Sequence, residues 1–510
     1  MDIISRCASF FYRNRLRTID SYGRETDKLQ HAQLNMLLKY AAQTEWGRRY
    51  DFKHIRDYAT FAGRIPIQTY DTLKPFVERM VNGEENILWP SKVRWYAKSS
   101  GTTNDKSKFI PVTPEILKYN HYRGGYDSVG LYLRNNPDSR FFSKKGLILG
   151  GSHSPSALNK KAHCGDLSAV LIQNIPSWVN LVRIPEKRIM LMNEWEAKIK
   201  AVVEQTWYKD VGSISGVPSW ILTLIKAVLQ RAGKETLTKV WPNLEVFFHG
   251  GVNFEPYRMQ YESLIPSDRM HYMEIYNASE GFFGIQDDPD DTSLLLMLDY
   301  GVFYEFIPMN ELDRTDNPEV LPLEEVKVGE NYAMIISTTG GLWRYRIGDT
   351  VRFTSLFPHK IEISGRTHHF INAFGEELMV DNTEKAIQMT CQQTGAEIHG
   401  YTAAPLFMLN KARGRHQWLI EFEKAPASIE DFAGILDRSL QSLNSDYEAK
   451  RYKDMSLQLL EIIPARAGLF LDWLKMKGRL GGQHKVPRLS NDRKMIDEML
   501  VLNAKEVVSK

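Results

Sequence analysis

Apolar residues in the first ninety positions recur at helical spacing. Leu34, Leu37 and Leu38 fall on one face of a helix with 3.6 residues per turn. Pro66 and Pro75 interrupt this pattern, because proline lacks the amide hydrogen that a helix interior uses. The pattern predicts a helical N-terminal region that breaks at these two prolines.

From Val93 the pattern changes to short runs of aromatic and aliphatic residues, which are typical of β-strands. Such runs occupy residues 93–98, 146–150, 244–250, 271–278, 294–298, 303–308, 333–338 and 343–353. Helical patterns lie between several of them, most clearly over 194–208 and 219–232. Strands that alternate with helices over so long a stretch predict an α/β fold.

The segment 364–376 joins this strand-rich body to a remainder of different texture. The remainder shows helical spacing over 379–394 and 428–444, and strand-like runs over 399–409 and 416–423. A helix, two strands and a helix suit a small α+β domain. We therefore expect an N-terminal domain over 1–365 and a C-terminal lid domain over 366–510.

Composition narrows the function classes. The 510 residues include 65 basic and 62 acidic ones, and the net charge of +3 argues against a nucleic-acid binder or a polybasic membrane anchor. Cys7, Cys164 and Cys391 lie too far apart in sequence for a CxxC zinc site or a disulfide framework. No run reaches the ~18 apolar residues of a membrane span. We expect a cytoplasmic protein that acts on small molecules, with no nucleic acid, membrane or obligatory protein partner.

A segment rich in hydroxyls, glycine and lysine follows the strand pattern at 93–98. It contains Ser99, Ser100, Gly101, Thr102, Thr103 and Lys108. Glycine lets the backbone approach a ligand closely, and hydroxyls, amides and lysines favour anionic oxygens. These residue types predict a phosphate-binding loop, although it is not a Walker A loop. A solvated turn is the alternative, because Ser and Thr favour turns in general.

Three further motifs carry polar chemistry. Tyr276, Ser279 and Glu280 end the strand pattern at 271–278, where a carboxylate beside a hydroxyl is well placed for Mg²⁺ and a nucleotide; a capped strand end is the alternative. Tyr345, Arg346 and Asp349 lie within the pattern at 343–353, where they form either a ribose and phosphate site or a structural Arg–Asp pair. Lys485 lies in a glycine-flanked loop, which brings a lysine to a reacting phosphate or leaves it solvated.

In this order, the motifs SSGTT, YxxSE, YRxGD and a glycine-flanked lysine resemble the Gretchen Hagen family of auxin-responsive acyl-acid amido synthetases. That family is a branch of the adenylate-forming, firefly luciferase-like superfamily. The segments 247–286 and 362–379 extend the resemblance, which covers essentially the whole chain. Asp105 and Lys106 replace the Gly and Glu that plant members usually have, and His368 lies at the hinge; these departures indicate a bacterial-type member.

The resemblance implies a fold and a set of roles. The fold is a large adenylate-forming domain, with mixed sheets and a β-barrel-like part flanked by helices, followed by a small mobile α+β domain. Lys485 and Glu280 are the implied catalytic residues: Lys485 reaches the α-phosphate and the acyl carboxylate, and Glu280 ligates Mg²⁺. The implied ATP-binding residues are Ser99, Ser100, Gly101, Thr102, Thr103, Lys108, Gly250, Gly251, Tyr276 (stacked on adenine), Ser279, Tyr345, Arg346, Asp349 (on the ribose hydroxyls) and Arg366.

The resulting functional hypothesis is a ligase that uses ATP and Mg²⁺ to adenylate a carboxylic acid and then joins it to the amine of an amino acid. Two alternatives stay open: a ligase that forms a thioester with a thiol such as coenzyme A, and a non-catalytic nucleotide-binding protein. We expect the acyl pocket between the helical stretch after Pro114, the region near Trp220, and Gly250. The sequence does not favour any one acid or acceptor.

Other conspicuous residues fit ordinary structural roles better. His153, His163 and Cys164 match no zinc-ligand spacing, and we expect a loop there. Trp220, Trp241 and Trp343 are expected in the core rather than at a cofactor. His368 and His369 lie in the expected hinge, with a conformational or a solvated role.

Overall fold

The computed structural model describes most of the chain. The described residues are 3–99, 108–150, 156–192, 194–251, 254–312, 318–366, 370–371, 376, 378–407, 414–444, 447–448, 451, 457–478, 485–490 and 492–505. No helix within these ranges is both long and apolar enough to span a membrane.

Helices form the N-terminal region, as the apolar spacing predicts. Local caps start two of them: the side chain of Thr44 accepts from the amide of Gly47, and that of Asp57 from the amide of Thr60. The helices are α1 (Ile3–Asp20), α2 (Tyr22–Ala41), α3 (Glu45–Arg49), α4 (Tyr58–Arg64), α5 (Tyr70–Val81), α6 (Pro114–Ile116), α7 (Tyr122–Asn135), α8 (Leu167–Asn174), α9 (Lys187–Met190), α10 (Trp195–Thr206), α11 (Pro218–Ala232), α12 (Arg258–Leu264), α13 (Val380–Thr394), α14 (Ile429–Leu443), α15 (Leu469–Met476) and α16 (Lys494–Lys505).

One of the two expected breaks is wrong. Pro66 lies between α4 and α5, but Pro75 lies inside α5. The helix continues past Pro75 because Leu73, Val77 and Met80 bury its apolar face, and this packing compensates for one missing hydrogen bond.

The strands form two sheets in the N-terminal body and smaller ones beyond it. They are β1 (Trp95–Ser99), β2 (Lys108–Val112), β3 (Lys145–Ile148), β4 (Ser156–Ala157), β5 (His163–Gly165), β6 (Arg183–Ile184), β7 (Val211–Gly216), β8 (Val246–His249), β9 (His271–Ala278), β10 (Gly281–Ile285), β11 (Leu294–Leu296), β12 (Val302–Pro308), β13 (Leu321–Pro322), β14 (Asn331–Thr338), β15 (Tyr345–Leu356), β16 (His359–Arg366), β17 (Phe370–Ile371), β18 (Leu378–Met379), β19 (Glu397–Phe407), β20 (Gly414–Lys424) and β21 (Glu461–Ala465).

A twelve-stranded mixed sheet is the centre of the body, in the order β13-β12-β14-β15-β16-β11-β10-β9-β8-β7-β3-β6. The strands from β9 to β6 pair in parallel, and those from β9 to β13 pair antiparallel. A separate four-stranded sheet has the order β2-β1-β5-β4. The predicted strands at 271–278, 303–308 and 333–338 are therefore confirmed, within two residues at each end.

The two faces of the parallel strands differ in their side chains. Leu147, Ile214 and Phe247 point to one face and pack in a buried cluster with residues of α10, α11 and α12. Their neighbours Gly146 and Ser213, on the other face, carry little or no side chain. Because successive residues of a strand face opposite sides, one face is core and the other leaves space.

The predicted elements of the C-terminal region are also present. The sheet β19-β20-β21 packs with α13 and α14 around a buried cluster that includes Trp418, Phe432 and Leu436. Contacts tie this region to the body: Nε2 of Gln388 donates to Glu255 at 3.0 Å, and Lys226 pairs with Glu423.

Candidate active site

A cavity of about 1810 Å³ lies at the carboxyl ends of β8 and β9 and extends along the open face of the parallel strands. Ligands of α/β sheets commonly bind at this end of the strands. The cavity brings together seven of the residues that the sequence singled out: Gly250, Gly251, Tyr276, Ser279, Glu280, Asp349 and Lys485.

Tyr276 and Asp349 are in direct contact at this site. The Tyr276 hydroxyl donates a 2.5 Å hydrogen bond to Oδ2 of Asp349, and both residues are about 95% buried. The Tyr276 ring also packs edge-on against Phe283, with a centroid distance of 5.0 Å. These contacts hold the ring and the carboxylate in one orientation.

A backbone irregularity in β15 sets the direction of Asp349. Gly348 has a φ of +92°, and the pairing of β15 with β14 shifts register beside it. Such a bulge re-aims the side chains that follow it. Asp349 is the register partner of Arg366 on the neighbouring strand β16. The structure therefore brings the backbones of these two predicted residues together.

Ser279 and Glu280 form the turn between β9 and β10. Both are buried and both line the cavity. The Ser279 hydroxyl has no hydrogen-bond partner among the residues that the structure describes. Within the described ranges, no group of three His, Cys, Asp or Glu side chains lies close enough together to hold a metal ion. A carboxylate with a hydroxyl beside it suits a hard cation that takes its other ligands from phosphate and water.

Lys485 reaches this site from the C-terminal region and lies over Gly251. Its Nζ would be 3.2 Å from a Cβ placed on Gly251, which has a φ of +80°. A Cβ on Gly250 would lie only 2.3 Å from the carbonyl oxygen of Ile275, the neighbour of Tyr276. The two positions therefore require glycine for different reasons. Gly250 allows close packing on β9, and Gly251 allows the lysine to approach.

Arg488 holds the segment that carries Lys485, although the sequence motifs assign no role to it. Its guanidinium pairs with Oε1 of Glu384 at 3.2 Å and donates to the carbonyl of Tyr401 at 3.2 Å, both in the C-terminal region. It also donates to the hydroxyl of Tyr257 in the body at 3.2 Å. Arg488 thereby joins the two regions three residues from Lys485.

Three titratable groups at the cavity also lay outside the sequence hypothesis. Burial lowers the pKa of His121 to about 4 and that of His249 to about 3, so both rings are neutral at physiological pH. Nδ1 of His121 lies 3.0 Å from Oδ1 of Asn277. Burial, with a contribution from Glu255, raises the pKa of Glu274 to about 7. A single His or Glu within a strand or a helical turn carries no sequence signal that would have identified these groups.

The remaining predicted site residues do not line the cavity within the described part of the chain. Tyr345 is fully buried in the core, Arg346 pairs with Ile335 on the neighbouring strand, and the Lys108 ammonium lies 5.8 Å from the centre of the Tyr70 ring. The backbone of Ser99 ends β1. Outside the described residues or side chains lie Ser100, Gly101, Thr102, Thr103, Asp105, Lys106, His153, His368, His369 and the side chains of Ser99 and Arg366. Their roles stay predictions.

The aromatic and metal-site expectations have different outcomes. Trp241 and Trp343 are core residues, as predicted, whereas Trp220 is half-buried and lines the cavity. His163 and Cys164 belong to strand β5 rather than a loop, because β1 pairs with them. Cys164 and Cys391 are buried, and neither forms a disulfide within the described part of the chain.

Comparison with known proteins identifies the family. Three family models match the chain: the GH3 family N-terminal domain over 15–270, the central domain over 295–366 and the C-terminal domain over 381–494. Indole-3-acetic acid-amido synthetase GH3.3 of Arabidopsis thaliana is 24% identical, over 93% of this chain and 91% of that protein. 4-substituted benzoates-glutamate ligase GH3.12 of Arabidopsis thaliana is 22% identical, over 90% and 92%.

The solved structure of GH3.15 acyl acid amido synthetase superposes with a TM-score of 0.78 and 18% identity, over 96% of each chain. This likeness confirms the predicted α/β fold. The first family model alone matches half of the chain, and the three together run from residue 15 to residue 494. The chain belongs to the GH3 family.

Proposed function

We propose that this protein is an ATP-dependent acyl-acid amido synthetase. It adenylates a carboxylic acid, with release of pyrophosphate, and then transfers the acyl group to the amine of an amino acid. One observation carries the proposal: Lys485, from the C-terminal region, shares a cavity with Glu280, Tyr276 and Asp349 of the body. Family membership supports the same reaction, since the named relatives are amido synthetases and an acid–glutamate ligase.

The first step brings two anions together, and the cations of the site have to screen them. A carboxylate oxygen attacks the α-phosphorus of ATP, and the bond from that phosphorus to pyrophosphate breaks. A lysine about 4 Å from a phosphate oxygen contributes roughly 4 kcal/mol at an effective dielectric constant near 20. Lys485 over Gly251 is the cation we assign to this task.

Mg²⁺ fits the turn between β9 and β10. Glu280 and the Ser279 hydroxyl, which has no hydrogen-bond partner among the residues the structure describes, would hold it, and the ion would neutralise phosphate charge when bound. On the nucleotide side, Tyr276 offers its ring to the adenine and Asp349 its carboxylate to the ribose hydroxyls. The hydrogen bond between these two residues orients both before the nucleotide arrives.

In the second step the amine nitrogen attacks the acyl carbon, and AMP leaves with the bonding electrons. The amine must be neutral, and water must be kept from the acyl adenylate. We assign the closure to a C-terminal lid domain over 366–510 that moves against the body over 1–365. Arg488 pairs with Glu384 of the lid and donates to the Tyr257 hydroxyl of the body, so it is a contact that such a movement breaks and remakes.

The size of the cavity supports simultaneous binding of nucleotide and acid. Ligand pockets usually measure roughly 300–1,000 Å³. The volume of about 1810 Å³ exceeds that range and therefore leaves room for an acid beside ATP.

The test is a product assay with ATP and Mg²⁺. The protein is incubated with panels of carboxylic acids, then with amino acids or coenzyme A, and products are identified by mass spectrometry. Pyrophosphate release followed by amides supports the proposal. Thioesters in place of amides would assign a coenzyme A ligase, and a lack of pyrophosphate with every acid would indicate a non-catalytic nucleotide-binding protein.

A further inference from the structure

The cavity continues well beyond the nucleotide side, along the open face of the parallel strands. Gly146, Ser213 and Ser215 form its floor. A Cβ on Gly146 would lie 3.0 Å from the hydroxyl of Ser213, so a larger residue at position 146 would crowd Ser213, and these small residues leave the space above them to the cavity. We call this part of the cavity the chamber.

The walls of the chamber are mainly apolar. Helix α7 contributes Tyr122 and Val129, helix α8 contributes Leu171 and Ile172, and Phe141 closes one side. An apolar body of a ligand gains free energy by leaving water for such walls. The chamber therefore favours an acid with a hydrophobic body.

Arg183 at the far end contrasts with these walls. It lines the cavity on β6, and only 5% of its surface is exposed. Its Nε donates to Oδ1 of Asn180 at 2.8 Å, and Nη2 donates to the same oxygen. Nη1 has no hydrogen-bond partner, and no carboxylate pairs with this guanidinium within the part of the chain that the structure describes.

A second cation lies near Arg183 without a carboxylate among the described side chains. Nζ of Lys187 donates to the carbonyl of Gln173 at 2.8 Å. Burial, and then the charge of Arg183, lowers the pKa of Lys187, and burial also lowers the pKa of Arg183. A buried cation without an anion is unfavourable, because desolvation is not offset. Of the two cations only Arg183 lines the cavity, so it is the one placed to meet an anion that comes from outside the chain.

The strand register gives the distance from this cation to the nucleotide side. Arg183 is aligned through Gly146 and Ser213 with Val246 on β8, three strands away. With strands ~4.8 Å apart and a rise of ~3.3 Å per residue to His249, the end of β8 next to the glycines that Lys485 approaches, the Cα atoms of Arg183 and His249 are about 17 Å apart. Only an elongated acid can have one end at the nucleotide and the other at Arg183.

We infer that the acid is an elongated dicarboxylic acid: one carboxylate is adenylated near Lys485, the apolar body occupies the chamber, and the second carboxylate pairs with Arg183. This inference rests on the proposed function for the first carboxylate only. An arginine fork binds a carboxylate through two parallel hydrogen bonds, which selects this group over an uncharged end.

The test compares straight-chain α,ω-dicarboxylic acids with monocarboxylic acids of equal carbon number. Pyrophosphate release is measured with ATP and Mg²⁺ for the wild type, Arg183→Gln and the control Arg188→Gln, whose exposed guanidinium pairs with Glu186. We expect Arg183→Gln to lower kcat/KM for the diacids about 10- to 100-fold, which corresponds to the loss of a hydrogen bond to a charged group. We expect kcat/KM for the monoacids to stay nearly unchanged. Arg188→Gln should behave like the wild type. Equal effects of Arg183→Gln on diacids and monoacids would overturn the inference while the proposed function stands.

Calorimetric binding of the diacids without ATP gives a readout that does not depend on catalysis. If the diacids bind and Arg183→Gln weakens their binding, the inference is supported even when no pyrophosphate is released. The lack of pyrophosphate would then count against the proposed function alone. Diacids that do not bind, or that bind both proteins equally, overturn it. Thermal unfolding completes the test: because Arg183 has no anionic partner among the described residues, we expect Arg183→Gln to keep the melting temperature, and a large decrease would show a structural role instead.

Discussion

The Tyr276 hydroxyl donates a 2.5 Å hydrogen bond to the Asp349 carboxylate, across 73 positions of sequence. The two residues come from different motifs, at the end of β9 and beside the bulge of β15. The adenine and ribose contacts that we assign to them therefore form one unit, which is oriented by the protein itself.

Tyr276→Phe removes this hydrogen bond and keeps the ring. Because a buried carboxylate then loses a donor, we expect the free energy of unfolding to decrease by about 2 kcal/mol and the KM for ATP to rise about tenfold. Denaturant unfolding and pyrophosphate release measure the two effects. Tyr272→Phe on the same strand is the matched control, because the Tyr272 hydroxyl has no hydrogen-bond partner among the described residues. Similar results for the two variants would refute the role of the hydrogen bond.

Gly251→Ala tests the approach of Lys485. The new Cβ would lie 3.2 Å from Nζ, at a φ of +80°, so we expect about 1 kcal/mol of strain together with a slower adenylation step. Gly233→Ala is the control: Gly233 has a φ of +61°, with no atom within 4 Å of its new Cβ. Both variants should lose stability in chemical denaturation, but only Gly251→Ala should slow pyrophosphate release. A normal rate for Gly251→Ala would separate this glycine from the lysine's function.

Lys485→Ala removes the cation that we assign to the α-phosphate. We expect adenylate formation to slow by roughly 10²–10³-fold, with a smaller change in ATP affinity, because the charge acts mainly on the transition state. Lys477→Ala controls for the loss of a lysine in the same region, since Lys477 pairs with Glu498 at 2.9 Å and does not line the cavity. Near-normal pyrophosphate release by Lys485→Ala would remove Lys485 from the mechanism.

Arg15 anchors the N-terminal helix α1 to the body. Its guanidinium contacts Asp127 at 2.7 Å and Asp299 at 2.5 Å, and all three side chains are largely buried. Arg15→Met removes the ion pair of Asp127 and leaves Asp299 with Arg123 at 3.4 Å, so we expect the free energy of unfolding to decrease by about 3 kcal/mol. Arg17→Met on the exposed face of α1 should change it little, and equal values for the two variants in urea unfolding would contradict this account.

Glu274 makes stability depend on pH. Its pKa rises from 4.5 to about 7 in the folded protein, so the folded state retains a proton that the unfolded chain releases. Stability is then lost as pH rises between these values. Glu274→Gln removes this titration. Between pH 5 and pH 8 we therefore expect the free energy of unfolding of the variant to decrease by about 2 kcal/mol less than that of the wild type, a value that allows for partial solvation of the group by the cavity.

Denaturant unfolding at the two pH values provides the measurement for Glu274. Glu235→Gln, at a fully solvated position beside Lys239, serves as the control and should retain the pH dependence of the wild type. If Glu274→Gln also retained it, the proton would have to be held elsewhere.

The sequence predicted elements wherever periodicity was strong. Strand 271–278 was found to the residue, because the run is rich in aromatic and aliphatic side chains. The motifs with Tyr276 and Asp349 had ordinary structural alternatives when taken singly, and they were assigned to a site because their order along the chain resembles that of a known family. The order of the twelve-stranded sheet could not be predicted, since tertiary packing decides which distant strands pair.

Residues whose role depends on distant partners also escaped prediction. Arg183 lies in a strand of two residues, which is too short for any pattern. Arg15 and Asp299 are 284 positions apart, and nothing in either local sequence indicates the ion pair. Pro75 was misread because the apolar face of α5 outweighs the local preference of proline.

The two-faced character of β3 and β7 separates selectivity from stability. Leu147 and Ile214 hold the sheet to its helices, while their sequence neighbours Gly146 and Ser213 bound the chamber. A mutation that adds a methyl group to the floor shortens the space for the acid without touching the core behind it. Single substitutions on the floor can therefore change substrate preference during evolution, while the sheet and helices that carry the nucleotide site keep their structure.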